Sequence, residues 1–279
     1  MKRGLVMEGG AMRGMFTCGV IDVLMENGII FDSAVGVSAG ATFGCNIKSR
    51  QIGRGLRYNK RFCNDKRYCG LHSLITTGDV YNVSFCYDTL VNKLDVWDTD
   101  TFYSNPMDFF CVVTDVNSGE PVYHKCDGNN DLQWIRASAS MPVVSRIVDI
   151  DGGKYLDGGM SDSIPLKFME EQGCDRILVI ETQPGDYIKK PQKYMWAFKM
   201  QLRKYKDMIA CVSDRHNMYN AQKEYIRKKE EAGQVFVIRP AAPLNIGAIE
   251  KEPGELQRVY DLGRYEAIRN LEGLKKYLG

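Results

Sequence analysis

Apolar runs of strand length alternate with a helical pattern at the start of the chain. Gly4-Leu5-Val6-Met7 and Ala34-Val35-Gly36-Val37 are both short and apolar, as buried strands are. Between them, apolar residues recur at helical spacing at Phe16, Val20, Val23 and Leu24. The order strand, glycine turn, helix, strand, sharp turn, helix predicts a parallel sheet with helices on its faces.

The rest of the chain continues the mixed pattern. Further strands are predicted at 108–114, 121–124, 144–150, 154–156, 176–182 and 235–239, with Asp151-Gly152-Gly153 as a hairpin turn. Small residues and apolar positions predict a helix over 132–139. Apolar residues from Met195 to Val212 step by three and four, which predicts one long amphipathic helix. Residues 255–278 indicate one or two short helices.

Two segments are rich in lysine and arginine, residues 50–67 and 189–206. The ordinary interpretation is that their charges face water and that the apolar stripe of the second segment packs in the core. The alternative is that these segments contact an anionic membrane surface. The sequence leaves both interpretations open.

Composition narrows the classes of protein without naming one. The chain has 279 residues, 44% of them hydrophobic and 26% charged, as in ordinary globular proteins. A net charge of +2 argues neither for nor against nucleic acid, and we expect no such partner. The nine cysteines include no C-x-x-C pair, so neither a metal nor a cofactor is expected. Without a signal peptide or a spanning apolar run, a cytoplasmic location is expected, with peripheral membrane association as an option.

The candidate chemistry begins at Ser38. Gly36-Val37-Ser38-Ala39-Gly40 fits the G-x-S-x-G pattern of a nucleophile elbow. A serine on a tight turn from strand to helix has a strained backbone, and Gly36 and Gly40 remove side chains that would collide there. The helix that follows offers free N–H groups to a developing anion. Ser38 is therefore the candidate nucleophile.

A serine nucleophile needs a base, and histidine is an unpromising choice in this chain. There are three histidines, His72, His124 and His216, and only His216 comes late enough for the usual order of a hydrolase triad. It lies in a charged helical stretch without loop signals. Asp157 follows a strand and precedes Gly158 and Gly159, which let another segment approach closely. Burial near Ser38 would raise the pKa of Asp157 and enable it to accept the serine proton.

The third part is the loop Gly9-Gly10-Ala11-Met12-Arg13-Gly14. Successive amides in a glycine turn before a helix form a nest for an anion, here the oxyanion of an acyl-transfer reaction. The rival interpretation, a nucleotide-phosphate loop, fits poorly. Ala11 takes the third place of G-x-G-x-x-G, and the Gly-Lys-Ser/Thr of a P-loop is missing.

These motifs, in this order, resemble those of the patatin-like phospholipase family, in particular its bacterial members with a C-terminal helical extension. The resemblance covers roughly residues 4–183 and includes the small-residue segment Ala137–Pro142. It implies a three-layer α/β/α sandwich with a mainly parallel central sheet. It also implies a catalytic domain over 1–185 and a mostly helical extension over 186–279 packed on it.

The resemblance implies roles as well as a fold. Ser38 and Asp157 would form a catalytic dyad, and the amides of Gly9, Gly10 and Ala11 would form the oxyanion hole, with Arg13 fixing that loop. The family usually has a third glycine where this chain has Ala11, whose methyl group restricts positive φ.

The expected function is hydrolysis of fatty-acyl esters of phospholipids or related lipids through an acyl-enzyme intermediate. One alternative is a general carboxylesterase or thioesterase that acts on soluble acyl esters. Another is a lipid-binding protein that has kept the fold and lost turnover. The expected partner is the lipid or acyl-ester substrate, met in water or at a membrane surface.

Overall fold

An eight-stranded sheet runs through the computed structural model, which describes residues 1–128 and 130–279. Its strands are β1 (Arg3–Met7), β2 (Ser33–Val37), β3 (Asp108–Asp115), β4 (Pro121–Lys125), β5 (Val148–Ile150), β6 (Gly153–Asp157), β7 (Arg176–Ile180) and β8 (Val235–Ile238). Strands β3, β2, β1, β7 and β8 are parallel neighbours in that order. Strands β4, β6 and β5 are added antiparallel.

Helices cover both faces of this sheet. They are α1 (Gly14–Glu26), α2 (Ala39–Lys48), α3 (Arg54–Phe62), α4 (Leu71–Thr77), α5 (Thr99–Ser104), α6 (Asp131–Ser138), α7 (Leu166–Glu171), α8 (Met195–Gln201), α9 (Lys206–Glu231) and α10 (Pro253–Leu278). Alternate strand residues point to opposite faces. Leu5 and Met7 pack with α1, α2 and α10, whereas Val6 packs with α7 and α9. The predicted three-layer α/β/α sandwich with a mainly parallel sheet is therefore confirmed.

Strand β3 brings the ends of two other strands together. Its first half pairs with β2 up to Val37 opposite Val112, and its last residues pair with β6 from Asp157 opposite Val113. Strand β4 pairs with β3 over the same region. Because a strand has two edges, β2 and β6 must share one of them. They approach from opposite directions, so Val37 and Asp157 become neighbours and Ser38 follows directly.

Two helix predictions are wrong in extent. Residues 195–212 form α8 and the start of α9 rather than one helix, although Phe198, Leu202 and Met208 still share one apolar cluster. The apolar spacing survives because both helices pack on the same cluster across the turn at 202–205. Residues 255–278 belong to one 26-residue helix, α10, rather than to one or two short ones.

Three strands are also shorter than predicted: β7 ends at Ile180 rather than at 182, β8 ends at Ile238 rather than at 239, and the largest difference is at β5. The strand expected over 144–150 is limited to β5. The residues before β5 bond to a neighbouring loop instead of a strand. The Val144 carbonyl accepts from the amide of Val80, and the amide of Arg146 donates to Asp79.

The basic segment 50–67 is partly neutralised inside the protein. Arg54 is buried, and both Arg54 and Arg57 form ion pairs with Asp95. In the part of the chain that the structure describes, no helix is both long and apolar enough to cross a membrane.

Candidate active site

Ser38 lies between the end of β2 and the first residue of α2, on a sharply turned backbone. Its φ of 55° and ψ of −118° fall outside the regions that ordinary residues prefer. The turn depends on its glycines. A Cβ on Gly36 would lie 2.3 Å from the carbonyl oxygen of Gly40, and one on Gly40 would lie 2.2 Å from that of Met7. The motif therefore has the geometry that its sequence predicts.

The side chains of Ser38 and Asp157 are directly bonded. The Ser38 hydroxyl donates to Oδ2 of Asp157 over 2.7 Å, and both residues are buried. The other carboxylate oxygen, Oδ1, accepts from the amide of Gly159 over 2.7 Å. These two bonds fix the carboxylate plane and direct one oxygen at the serine.

The end of α6 and the residues that follow it hold the backbones of this pair. The Ser38 amide donates to Oγ of Ser138 over 2.9 Å, and the Asp157 amide donates to the Ser140 carbonyl, also over 2.9 Å. Both serines belong to the small-residue segment quoted from the sequence. Their contacts to the pair were not predicted.

The electrostatic surroundings favour a basic Asp157. Burial raises the pKa of this carboxyl above its usual range, since a charge loses its hydration in the interior. The bond from Ser38, the charge of Arg215 and the Gly159 amide oppose that shift without cancelling it. A carboxylate with a raised pKa is a better proton acceptor for the serine hydroxyl.

The glycine loop packs directly on the serine. A Cβ on Gly9 would lie 2.9 Å from the Cβ of Ser38, so only glycine fits there. Thr182 Oγ1 donates to the Gly9 carbonyl over 3.1 Å and holds the loop from the end of β7. Within the described residues, the amides of Gly10 and Ala11 donate to no protein acceptor. They are free to donate to an anion.

Ala11 adopts the left-handed backbone that a glycine would take without strain. Its φ is 49°, so the methyl group does not prevent the conformation. Such a conformation costs an L-residue about 1–2 kcal/mol. Ala11 also lines the cavity beside Ser38.

Arg13 and Glu8 flank the loop from opposite ends. Nη2 of Arg13 lies 3.1 Å from the position of a Cβ on Gly10, so the guanidinium covers the loop. Glu8 is buried, and it accepts from the amide of Thr182 over 2.5 Å and from the Tyr219 hydroxyl over 2.7 Å. Glu8, Thr182 and Tyr219 gave no signal in the sequence beyond their residue types.

An apolar cavity opens beside Ser38. Its volume is about 260 Å³. Its walls are largely aromatic and aliphatic, and include Phe43, Tyr58, Leu90, Val91, Trp97 and Ile135. An apolar space beside a serine hydroxyl suits a hydrocarbon chain better than a polar group.

Histidine takes no part in this arrangement. In residues 1–128 and 130–279, no histidine ring bonds to Ser38 or Asp157. His216 lies on α9 beside the Ser213 carbonyl, and His124 bonds to Asp131 and stacks on Trp134.

His124, Cys126 and Asp131 are close enough to resemble a metal site, with ligand atoms within 4.8 Å of one another. These donors are already engaged. Asp131 bonds to His124, Tyr103 and the Gly128 amide. A hydrogen bond with Cys111, followed by burial, raises the pKa of the Cys126 thiol, which disfavours the thiolate that metals require. The cluster is better described as a packed hydrogen-bond network.

The fold and the site together define an α/β protein with a buried serine–aspartate pair at the carboxyl end of a parallel strand. The family model described as Patatin-like phospholipase matches residues 5–169, more than half of the chain. The chain therefore belongs to the patatin-like phospholipase family, which confirms the family and the enzyme class, a lipid ester hydrolase, expected from the motifs. A domain of unknown function, DUF6363, matches residues 205–279.

The chain is also similar to individual known proteins. The uncharacterized protein YjjU of Escherichia coli is 28% identical over 93% of this chain and 74% of its own length. The lysophospholipase nte1 of Aspergillus oryzae is 24% identical over 98% of this chain but only 18% of its own length. The chain thus spans less than a fifth of that fungal protein. The crystal structure of VipD from Legionella pneumophila aligns at 14% identity with a TM-score of 0.47, over 98% of this chain and 67% of that one.

Proposed function

We propose that the chain is a serine acyl hydrolase that cleaves fatty-acyl esters of phospholipids or related lipids through a Ser38–Asp157 dyad. The observation that carries this proposal is the 2.7 Å bond to a buried carboxylate from Ser38, a residue that lines an apolar cavity. The amides of Gly9, Gly10 and Ala11 form the oxyanion hole, and Arg13 supports their loop.

The reaction proceeds in two halves. Ser38 Oγ attacks the ester carbonyl carbon while its proton passes to Oδ2 of Asp157, and the glycine-loop amides stabilise the oxyanion. The tetrahedral intermediate collapses, and Asp157 returns the proton to the leaving alcohol. In the second half, water attacks the acyl-enzyme and gives its proton to Asp157. Collapse then releases the fatty acid, and Asp157 returns the proton to Ser38 Oγ, which restores the serine and the carboxylate.

The cavity supports a lipid substrate over a soluble ester. Its apolar wall favours burial of an acyl chain at about 25 cal/mol per Å² of apolar surface removed from water. The matching family model is described as Patatin-like phospholipase, and one relative named above is a lysophospholipase, which supports the same substrate class. We further propose a cytoplasmic protein that meets its substrate at a membrane surface. Its catalytic domain is residues 1–185, with residues 186–279 as the extension packed on it.

A fluorophosphonate probe tests the dyad directly, because it reacts with an activated serine. The wild-type protein should gain one adduct by intact mass, and Ser38→Ala should gain none. Asp157→Asn should label at least about 100-fold more slowly, since a positioned base contributes about 10²–10⁴ in rate. Ser84→Ala, which changes an exposed serine at the start of the π-helix Phe85–Leu94, is the matched control and should label like wild type.

Each outcome decides between the candidate functions. A folded wild-type protein that takes up no probe would indicate a lipid-binding protein without an active dyad. Labelling with turnover of short soluble esters but not of phospholipid vesicles or lysophospholipids would indicate a general carboxylesterase instead.

A further inference from the structure

Three cationic side chains from separate parts of the chain gather beside the dyad. Arg215 on α9 donates through Nε to the Gly159 carbonyl over 2.5 Å. A Cβ built on Gly159 would lie 3.3 Å from Nη2 of Arg215 and 3.0 Å from Oδ1 of Asp157, so the guanidinium adjoins the carboxylate. Lys189 lies in the segment after β7, and its ammonium is 4.7 Å from the ring centre of Tyr219. Tyr219 lies one helical turn after Arg215 on α9.

Arg13 completes the cluster from the glycine loop. Its guanidinium covers Gly10, and its buried Nε meets no hydrogen-bond acceptor in the described part of the chain. All three cationic residues are partly exposed.

The cluster carries more positive charge than its surroundings neutralise. The carboxylates that face it are Asp157 and Glu8, and both already accept two hydrogen bonds from other groups. Burial, followed by the charges of Arg215 and Arg13, lowers the pKa of Lys189 to about 8. A site that crowds cations without matching anions favours an anionic ligand.

We propose that Arg13, Lys189 and Arg215 form a subsite for the phosphoryl group of an ester whose acyl carbonyl lies at Ser38. This inference rests on the proposed function and specifies its substrate class. The apolar cavity receives the acyl chain on one side of Ser38, and the subsite receives the phosphoryl group on the other. Arginine provides several N–H donors in a fixed fork that matches phosphate oxygens, and lysine adds a point charge. The subsite selects phosphorylated lipids over neutral glycerides.

A pair of esters that differ only in the phosphoryl group tests this selection. We would measure kcat/KM for octanoylglycerol phosphate and for octanoylglycerol, both as monomers in solution. Wild type should prefer the phosphorylated ester. In Lys189→Met, the ratio of the two kcat/KM values should fall at least about tenfold, because the loss of one charge-assisted hydrogen bond changes an affinity by about that factor. Arg215→Gln should lower it similarly. Lys190→Met, which changes the exposed neighbour, is the control and should keep the wild-type ratio.

The pH profile separates a charge effect from a structural one. Lys189 faces Arg215 and Tyr219 on α9, Arg13 and Glu8 near β1, and Asp157 at the end of β6. It is cationic below a pKa of about 8 and neutral above it. The preference for the phosphorylated ester should therefore decline as pH rises through about 8 in wild type and show no such decline in Lys189→Met.

Other outcomes overturn the inference in distinguishable ways. Equal turnover of the two esters by a protein that labels at Ser38 rejects the subsite and keeps the proposed function. Competitive inhibition by inorganic phosphate with equal turnover assigns the cluster to free phosphate and rejects the lipid head group. Absence of both labelling and turnover in wild type rejects the proposed function and the subsite together.

Discussion

Ala11 is a residue whose type and backbone conformation disagree. Its φ of 49° lies in the left-handed region, where an L-residue loses about 1–2 kcal/mol and glycine loses none. A glycine at this position would avoid that cost. It would also lose about 0.4–1 kcal/mol of stability, because glycine makes the unfolded chain more flexible. The position therefore stores strain in the loop that contacts Ser38.

We expect Ala11→Gly to raise the free energy of unfolding by about 0.5–1 kcal/mol, because it relieves this strain. Urea denaturation checks the change. Ala210→Gly, at an exposed position inside α9, is the matched control. It should lower stability by about 1 kcal/mol, the usual cost of glycine in a helix. Equal losses in the two variants would show that Ala11 is not strained.

At the residue scale, the sequence points to a candidate residue where a motif has its own local geometry. The spacing of Gly36, Ser38 and Gly40 predicts the nucleophile elbow from five consecutive residues. The preceding hairpin and the following glycines single out Asp157. No local motif of this kind surrounds Lys189 or Arg215. They reach the site only because α9 and the segment after β7 pack over the carboxyl edge of the sheet, and no local pattern records that packing. The catalytic roles assigned to Ser38 and Asp157 stay predictions until labelling tests them.

At the scale of elements, α10 packs against α1 through two glycines. A Cβ on Gly263 would lie 2.1 Å from the Phe16 carbonyl oxygen, and one on Gly19 would lie 2.1 Å from that of Tyr260. In both cases the added Cβ would meet a backbone atom, which cannot rotate away as a side chain could. The sequence predicted helical structure in the C-terminal segment. It did not reveal that one helix runs unbroken for 26 residues, because the helix partner lies more than 200 residues away.

We expect Gly263→Ala to lower the free energy of unfolding by about 1–3 kcal/mol or more, since the added methyl group forces the two helices apart. Thermal or urea denaturation measures the loss. Gly254→Ala is a control on the same helix, where a Cβ meets nothing within 4 Å. That variant should gain up to about 1 kcal/mol from helix propensity alone. A tolerated methyl group at Gly263 would mean that α1 and α10 are farther apart than described.

At the scale of the whole molecule, the C-terminal extension shares a sheet and a hydrophobic core with the proposed catalytic domain. Strand β8 pairs in parallel with β7 and so lengthens the sheet that carries Ser38. Helix α10 buries Leu256, Val259 and Leu274 in the same core cluster as Phe16 and Leu24 of α1. The family model ends at residue 169, whereas the hydrophobic core continues to Leu278.

We therefore expect the full chain to unfold in one cooperative transition, with calorimetric and van't Hoff enthalpies that agree. A fragment of residues 1–185 lacks β8, α9 and α10, so one face of α1 and the edge of β7 lose their cover. Such exposed apolar surface and an unpaired strand edge promote aggregation. The fragment should be insoluble or bind a hydrophobic dye, and it should not label with fluorophosphonate. Two separated transitions in the full chain, or a soluble fragment that labels like wild type, would instead establish residues 1–185 as an autonomous catalytic domain.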